Sequence, residues 1–428
     1  VQPPQTREEH PAMASKGATP FERKLLAKIQ GLTGDAPIRF VFGDSDGVLP
    51  FQKEPVDTVF IGDRKTLVAM ALNPEVGFGD GYAAGTIRIG GDLIRLLENL
   101  FYSGAGTGPA GLYRRTWERW QDWRQANTRE GSARNIHHHY DLTNEFYKLW
   151  LDPRLIYTCA YFPSPDASLE EAQQAKLDYV CRKVQLRPGE RVIEAGCGWG
   201  ALAIHMAKNY GVNVRAFNIS REQIQFARER AKTEGLTHLV EFIEDDYRNI
   251  SGTCDAFVSV GMLEHVGAEN YEELGAIIHR SIGNSGRGFL HFIGRNQPRA
   301  FSRWIRKRIF PGAYAPTLGE ALGMLQPWNF SVQDVENLRF HYAKTLEHWL
   351  NRFENSLDQV SKMFDAEFVR AWRLYLAGSL VAFRVGSLQL FQVVFAGSEC
   401  KQIPWTRQYL YREDAQTKEE SRWIHAMS

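Results

Sequence analysis

The sequence predicts a doubly wound α/β domain preceded by a smaller α+β unit, and three observations carry that prediction. From Arg191 onward, apolar runs of strand length alternate with stretches of helical pattern. The first run, Val192-Ile193-Glu194, ends in Ala195-Gly196-Cys197-Gly198-Trp199-Gly200, a glycine turn opening directly onto a helix from Ala201 to Asn209. Each polar cluster of interest falls just after a strand: Gly196 to Gly200, Asn218 to Gln223, Asp245-Asp246-Tyr247, Gly261 to His265, and His291 to Gly294. Such alternation gives a mostly parallel sheet with helices on both faces, whose ligands gather at the carboxyl ends of the strands.

In order, the amino-terminal stretch to residue 18 is polar and proline-bearing, which predicts a disordered tail without the order of an export signal. A small unit follows over residues 19–102: a helix Phe21 to Gln30, strands Ile38 to Phe42 and Thr58 to Ile61, a glycine-rich bend Phe78 to Gly85, and a helix opening at Asp92. Residues 103–130 read as a flexible linker and then a charged helix, Arg114 to Arg129, carrying Trp117, Trp120 and Trp123. The larger domain is placed at residues 131–400, with a tail from 401 to 428. It begins with His137-His138-His139-Tyr140-Asp141; adjacent histidines point in different directions on any regular element, so no metal site is read there. An amphipathic helix Asn144 to Leu151 and the aromatic run Leu155 to Phe162 come next.

The regular pattern then runs as strand Val192–Glu194, helix Ala201–Asn209, strand Val212–Phe217, helix Arg221–Glu234, strand Val240–Ile243, strand Ala256–Val260, helix Tyr271–Ser281 and strand Gly288–Ile293. Arg295 to Tyr314 interleaves Arg299, Arg303, Arg306, Lys307 and Arg308 with Phe301, Trp304, Ile305, Ile309 and Phe310. That pattern suits either an anionic membrane surface or a helix packed on the protein. Long helices are expected over Val332 to Arg352 and Asp358 to Gly378, and a last strand over Leu388 to Phe395. Arg384, Gln389 and Gln392 interrupt the apolar stretch Leu376 to Phe395, which argues against a membrane span.

With 428 residues, 43% hydrophobic and 12% aromatic, the chain has ample material for two or three cores. Fifty-one Lys and Arg against fifty Asp and Glu exclude a wholesale electrostatic nucleic-acid binder. Cys159, Cys181, Cys197, Cys254 and Cys400 form no C-x-x-C pair, so the reducing cytoplasm is the expected setting. The turn Glu194-x-Gly196-x-Gly198-x-Gly200 suits a nucleotide-like ligand, since glycines allow close backbone approach and helix-start N–H groups favour negative charge. No Asp or Glu ends the second strand, where Asn218-Ile219-Ser220-Arg221-Glu222-Gln223 stands instead of a dinucleotide enzyme's ribose acid.

The stretches HHYDLTNEFYKLWLD, YTCAYF, EAGCGWG, NISREQ, DDYRN, VGMLEHVG, HFIGR, IFPGAY, HYAKTLEHWL and WRLYLAGSLVAFRVGSLQLFQVVF, in this order from about Asn135 to Phe395, resemble the cyclopropane fatty acid synthases and the related mycolic acid cyclopropane synthases. The resemblance implies a Rossmann-like class I S-adenosylmethionine-dependent methyltransferase domain acting on the unsaturated acyl chains of phospholipids. It implies that Tyr140, Tyr157, Thr158, Glu194, Gly196, Gly198, Gly200, Asn218, Ser220, Gln223, Asp246 and Tyr247 bind S-adenosylmethionine. It further implies a bicarbonate ion held by Cys159, Glu264, His291, the backbone of Ile293, and Tyr342. Read alone, Cys159 is equally a small buried residue, His291 a satisfied core histidine, Glu264 a helix cap and Tyr342 a wedge between helices.

The chemistry gives that set a purpose. An isolated alkene is a weak nucleophile and must be pressed in line against the sulfonium methyl with water excluded. Aromatic walls shelter the resulting cation, and a base that resists alkylation removes a proton so that the ring closes. Leu263 stands where the family commonly has Phe, and Ala313 and Ala315 depart from its loop as well, which leaves open a methylene- or methyl-branched product from the same cation. A non-catalytic lipid-binding protein is the reading of another class. Transient peripheral contact with a membrane and a homodimer through the amino-terminal unit are further family-level expectations.

Overall fold

The computed structural model describes residues 18–34, 36–43, 57–103, 143–299 and 301–411. The expected amino-terminal tail up to residue 17 and the carboxy-terminal tail beyond residue 411 lie outside these residues, as do the linker after Ser103, the helix Arg114 to Arg129, and His137 to Asp141 with Tyr140. The chain divides into two compact units, Val1–Pro109 with Phe364–Gly378, and Ala110–Met363 with Ser379–Ser428.

In the first unit, strands β1 (Ile38–Phe42), β2 (Asp57–Ile61) and β3 (Ile87–Gly90) form a sheet in the order β1-β2-β3, parallel and then antiparallel. Helix Pro20–Leu32 starts at a capping box between Thr19 and Glu22, and Asp92 caps helix Leu93–Tyr102. The expected bend at Phe78 to Gly85 is instead the body of helix Pro74–Ala84, capped by Asn73 and ended by Gly85 at φ 79°. Its glycines serve packing: a Cβ on Gly77 would lie 2.5 Å from the backbone nitrogen of Met70 in the neighbouring helix Arg64–Leu72. Phe364–Gly378, read from sequence with the larger domain, packs in this unit, where Arg370 Nε donates to the carbonyl of Ala83 at 2.7 Å.

The second unit holds a seven-stranded sheet. Its strands are β4 (Arg191–Ala195), β5 (Asn213–Asn218), β6 (Val240–Glu244), β7 (Ala256–Val260), β8 (Arg287–Gly294), β9 (Ser331–Asn337) and β10 (Gln389–Ala396), in the order β6-β5-β4-β7-β8-β10-β9. All pairs from β6 to β8 are parallel, while β10 runs antiparallel to both its neighbours. Helices Leu169–Lys183, Ala201–Tyr210 and Arg221–Thr233 share one core with the sheet, and Tyr271–Ile282 shares the other. The order reverses beside β4, so the crevice of this doubly wound sheet opens at the end of the glycine turn.

Three expectations are corrected. The helix placed at Val332 to Arg352 is the edge strand β9 followed by helix Arg339–Asn355. The helix placed at Asp358 to Gly378 is two, Leu357–Met363 and Ala366–Arg384, with Asp365 accepting the N–H of Phe368 at 2.8 Å at the restart. Asn144 to Leu151 is helical only over Asn144–Lys148. Between these, the Ser168–Glu171 capping box starts helix Leu169–Lys183, which the sequence reading passed over. No helix among the described residues is long and apolar enough to cross a membrane.

Candidate active site

The glycine turn is built from three left-handed residues with separate tasks: Gly196, Gly198 and Gly200 have φ of 84°, 53° and 78°. A Cβ on Gly196 would sit 2.9 Å from Met262, and one on Gly200 would sit 2.6 Å from the ring of Phe242. A Cβ on Gly198 would meet nothing within 4 Å, so this glycine fronts open space. The N–H groups of Gly196 and Cys197 both donate to Phe217 O, at 2.9 and 3.1 Å, which fixes the turn against the end of β5.

Beside it, Asn218, Ser220 and Gln223 form one hydrogen-bonded group. Asn218 Nδ2 donates to Gln223 Oε1 at 2.7 Å and to Gly198 O at 3.4 Å, while Ser220 caps the helix that carries Gln223. The backbone N–H of Asp245 donates to Asn218 O at 3.1 Å, joining the β6 loop to this group. Asp246 in that loop caps a short turn and pairs with Arg248 at 2.9 Å, and the Arg248 guanidinium lies over the Tyr247 ring. Burial raises the Tyr247 phenol to about 12. Glu194 is buried with Oε2 unpartnered, and burial pushes its acid upward.

Tyr157 and Thr158 are held by different neighbours. The Tyr157 ring packs on Tyr147, Trp150 and Trp349 at centroid distances of 5.6, 5.3 and 5.3 Å. Tyr342 joins this cluster through Trp349 at 6.0 Å and packs on Phe383 at 4.5 Å. Thr158 Cγ2 stands where a Cβ on Gly261 would come within 2.8 Å, so residue 158 is seated against the end of β7.

Among the candidates for catalysis, Glu264 and Ile293 meet directly: Glu264 Oε1 accepts the Ile293 N–H at 2.6 Å. The amide expected to bind an anion therefore already has a partner. Glu264 Oε2 is buried without one, and burial raises the acid to about 7. His291 stands two residues before Ile293 on β8, with its carbonyl accepting the Gly261 N–H at 2.8 Å. Its Nδ1 lies 3.1 Å from Gln392 Nε2, and its Nε2 is a buried atom with no partner. Burial and the nearby cations Lys176 and Lys183 hold this imidazole neutral.

Cys159 is fully buried; its thiol donates to Ala160 O at 3.1 Å, and burial raises it well above its ordinary value. The Ala160 N–H donates to Thr345 Oγ1 at 3.0 Å, one turn along the helix from Tyr342. The structure thus joins Glu264 directly to Ile293 and ties the Cys159 segment to the helix that carries Tyr342.

Two residues escaped the sequence reading. Lys176 is 2% exposed, and its ammonium donates to Thr158 Oγ1 at 2.9 Å. The stripe Leu169, Ala172, Lys176, Leu177 and Val180 would have exposed it, since a lysine occupies an apolar position there. Tyr271 has a buried hydroxyl without a partner and feels the charge of Glu264; nothing in its local pattern marked it.

The profile of the mycolic acid cyclopropane synthetase family matches residues 127–393. The chain is 39% identical over 300 residues to a probable fatty acid methyltransferase of Pseudomonas putida, covering 68% of this chain and 76% of that one. It is 40% identical over 259 residues to the cyclopropane-fatty-acyl-phospholipid synthase of Escherichia coli strain K12, covering 60% of this chain and 66% of that one. The solved structure of mycolic acid cyclopropane synthase CmaA1 complexed with SAH and CTAB matches with a TM-score of 0.59 at 30% identity, over 61% of this chain and 97% of that one. The larger unit is therefore a class I S-adenosylmethionine-dependent methyltransferase fold.

Proposed function

The chain belongs to the mycolic acid cyclopropane synthetase family of S-adenosylmethionine-dependent methyltransferases, and from that premise we propose that it transfers a methylene group to the cis double bond of unsaturated phospholipid acyl chains, closing a cyclopropane ring. One observation carries the reading: two polar atoms, Glu264 Oε2 and His291 Nε2, are buried and unpartnered at the carboxyl ends of β7 and β8. Leaving such groups unpaired costs about 1–3 kcal/mol each. A small anion that both donates and accepts fits them, and Glu264, His291, Cys159 and Tyr342 would hold bicarbonate, with the Ile293 N–H fixing the Glu264 carboxyl. When bound, that ion supplies a base that S-adenosylmethionine does not readily alkylate.

The protein's own residues do the rest. Gly198 leaves room for S-adenosylmethionine at the turn, and Asn218, Ser220 and Gln223 present polar groups beside it. When bound, S-adenosylmethionine supplies the electrophilic methyl carbon. The packed rings of Tyr147, Trp150, Tyr157, Tyr342 and Trp349 exclude water and stabilise positive charge on the acyl chain without attacking it. Cys159 stays a neutral thiol and so does not compete for the methyl group.

A second reading, a methylene- or methyl-branched product, is favoured by one feature. Leu263 and Ala315 are buried around Glu264, whose carbonyl accepts the N–H of Tyr314 at 2.9 Å, so the departures from the family pattern fall where the proton must leave. Transient docking to a membrane surface from the cytoplasm, and a homodimer, belong to the same proposal. Trp304 and Ile309 are buried, so docking cannot rely on those two side chains entering the bilayer.

Lipid mass spectrometry on cells given methyl-labelled methionine and this protein tests the reading. Ring closure adds one labelled methylene and leaves a product resistant to ozonolysis; an ozone-sensitive product of the same mass, or a resistant one two hydrogens heavier, gives the second reading, and no lipid mass gain sinks both.

A further inference from the structure

Helix Leu169–Lys183 turns two polar side chains toward the core, and both grip residue 158. Lys176 Nζ donates to Thr158 Oγ1 at 2.9 Å, and Gln173 Nε2, one turn earlier, donates to Thr158 O at 2.9 Å. The opposite side of Thr158 rests on Gly261. Residue 158 is therefore clamped between a helix and the end of β7.

The same ammonium is felt by groups from four other places in the chain: Asp152, Cys159, Glu194 at the end of β4, and His291 on β8. Thr158 is the ammonium's one hydrogen-bond partner among the described residues, and Lys176 is almost wholly out of water. Burying a cation so sparsely bonded costs several kcal/mol unless neighbouring negative charge offsets it, and a methionine or leucine would fill the apolar stripe without that cost. The lysine stands where one charge acts on groups from residues 152–159, β4 and β8.

We propose that Lys176 is a positioning residue of the methyl-transfer site, its ammonium, together with Gln173, holding Thr158 in the arrangement that binds S-adenosylmethionine. The inference rests on the functional reading above. It works through Thr158. Burial drives the Lys176 ammonium down to about 8, opposed by Asp152, Cys159 and Glu194, so its charge is sensitive to mildly alkaline pH.

Calorimetric titration of the full chain with S-adenosylhomocysteine tests it, in wild type, Lys176→Met, Thr158→Val, the double variant and Lys176→Arg. Thermal melting confirms that each variant is folded. Lys176→Met is expected to weaken binding at least tenfold at pH 7.5, Thr158→Val to weaken it less, and the double variant to lose no more than Lys176→Met alone. Wild-type affinity is expected to fall above about pH 8 as the ammonium deprotonates, and Lys176→Arg, always charged, to remove that fall. Should Lys176→Met fail to fold, the pH series of wild type against Lys176→Arg and the loss in Thr158→Val decide. Folded Lys176→Met with wild-type affinity, or an identical pH fall in Lys176→Arg, overturns this inference alone. Wild type that binds no S-adenosylhomocysteine overturns the functional reading and this inference with it.

Discussion

Glu264 spends one carboxylate oxygen on the backbone N–H of Ile293, at 2.6 Å, and keeps the other buried and unpaired. The contact ties the start of the short helix after β7 to the end of β8, so the carboxylate is held by the sheet rather than by its own loop. Burial raises this acid to about 7 against the ordinary 4.5, the Ile293 N–H opposing the rise.

The sign of the pH dependence follows. Below about 7 the carboxyl carries its proton; above it, Oε2 is free to accept a hydrogen bond, and only that form suits a protonated small anion. Turnover on vesicles of unsaturated phospholipid should therefore rise with pH through about 7. Glu264→Gln should lose about a hundredfold in rate and lose that rising limb. A Gln variant retaining the same limb would assign it to another group.

The three turn glycines separate folding from binding. Gly198→Ala adds a methyl that meets no protein atom, at a φ of 53°, and should cost about 1–2 kcal/mol of backbone strain. Its melting temperature should fall by a few degrees, whereas S-adenosylhomocysteine affinity, measured by calorimetry, should fall at least tenfold because the methyl enters ligand space. Gly200→Ala drives a methyl into the Phe242 ring at 2.6 Å and should destabilise the whole unit. Equal binding losses in two equally stable variants would refute the division.

In the amino-terminal unit the test is packing alone. A methyl at Gly77 would overlap the backbone of Met70, which cannot move as a side-chain tip would. Gly77→Ala should destabilise that unit by about 1–3 kcal/mol in a denaturant melt, with S-adenosylhomocysteine affinity unchanged.

The parallel strands were legible because buried strands read as continuous apolar runs, each closed by a polar cluster that the fold brings to one edge. Helix Pro74–Ala84 was not: its glycines were weighed as turn formers, although Gly77 lies pressed against Met70, a contact invisible without the neighbouring helix. The edge strand β9 lacks an apolar alternation because Asp334 and Glu336 point to Lys183, at 3.2 and 2.7 Å, in place of apolar core residues. Lys176 stayed hidden for a related reason: a lysine is informative only once the stripe it interrupts is known to face inward. The strand-end clusters were read from the residues, whereas Cys159, Tyr342 and the roles of the set came from the resemblance, since a lone cysteine or tyrosine carries no signal of its neighbours.

Leu263 offers the sharpest test of product choice. It is 2% exposed and directly precedes Glu264, so its volume shapes the wall beside the carboxylate without touching the hydrogen bond to Ile293. Leu263→Phe should leave S-adenosylhomocysteine affinity within about twofold, because the residue lies on the β7 side of the site and not among the turn glycines. The larger ring narrows the space open to the acyl chain, which limits how far a cation can shift before its proton is removed. The variant should therefore raise the share of ozonolysis-resistant product, or shift the double-bond position accepted, as read by lipid mass spectrometry. An identical product and chain profile in wild type and variant would remove Leu263 from the selection of either.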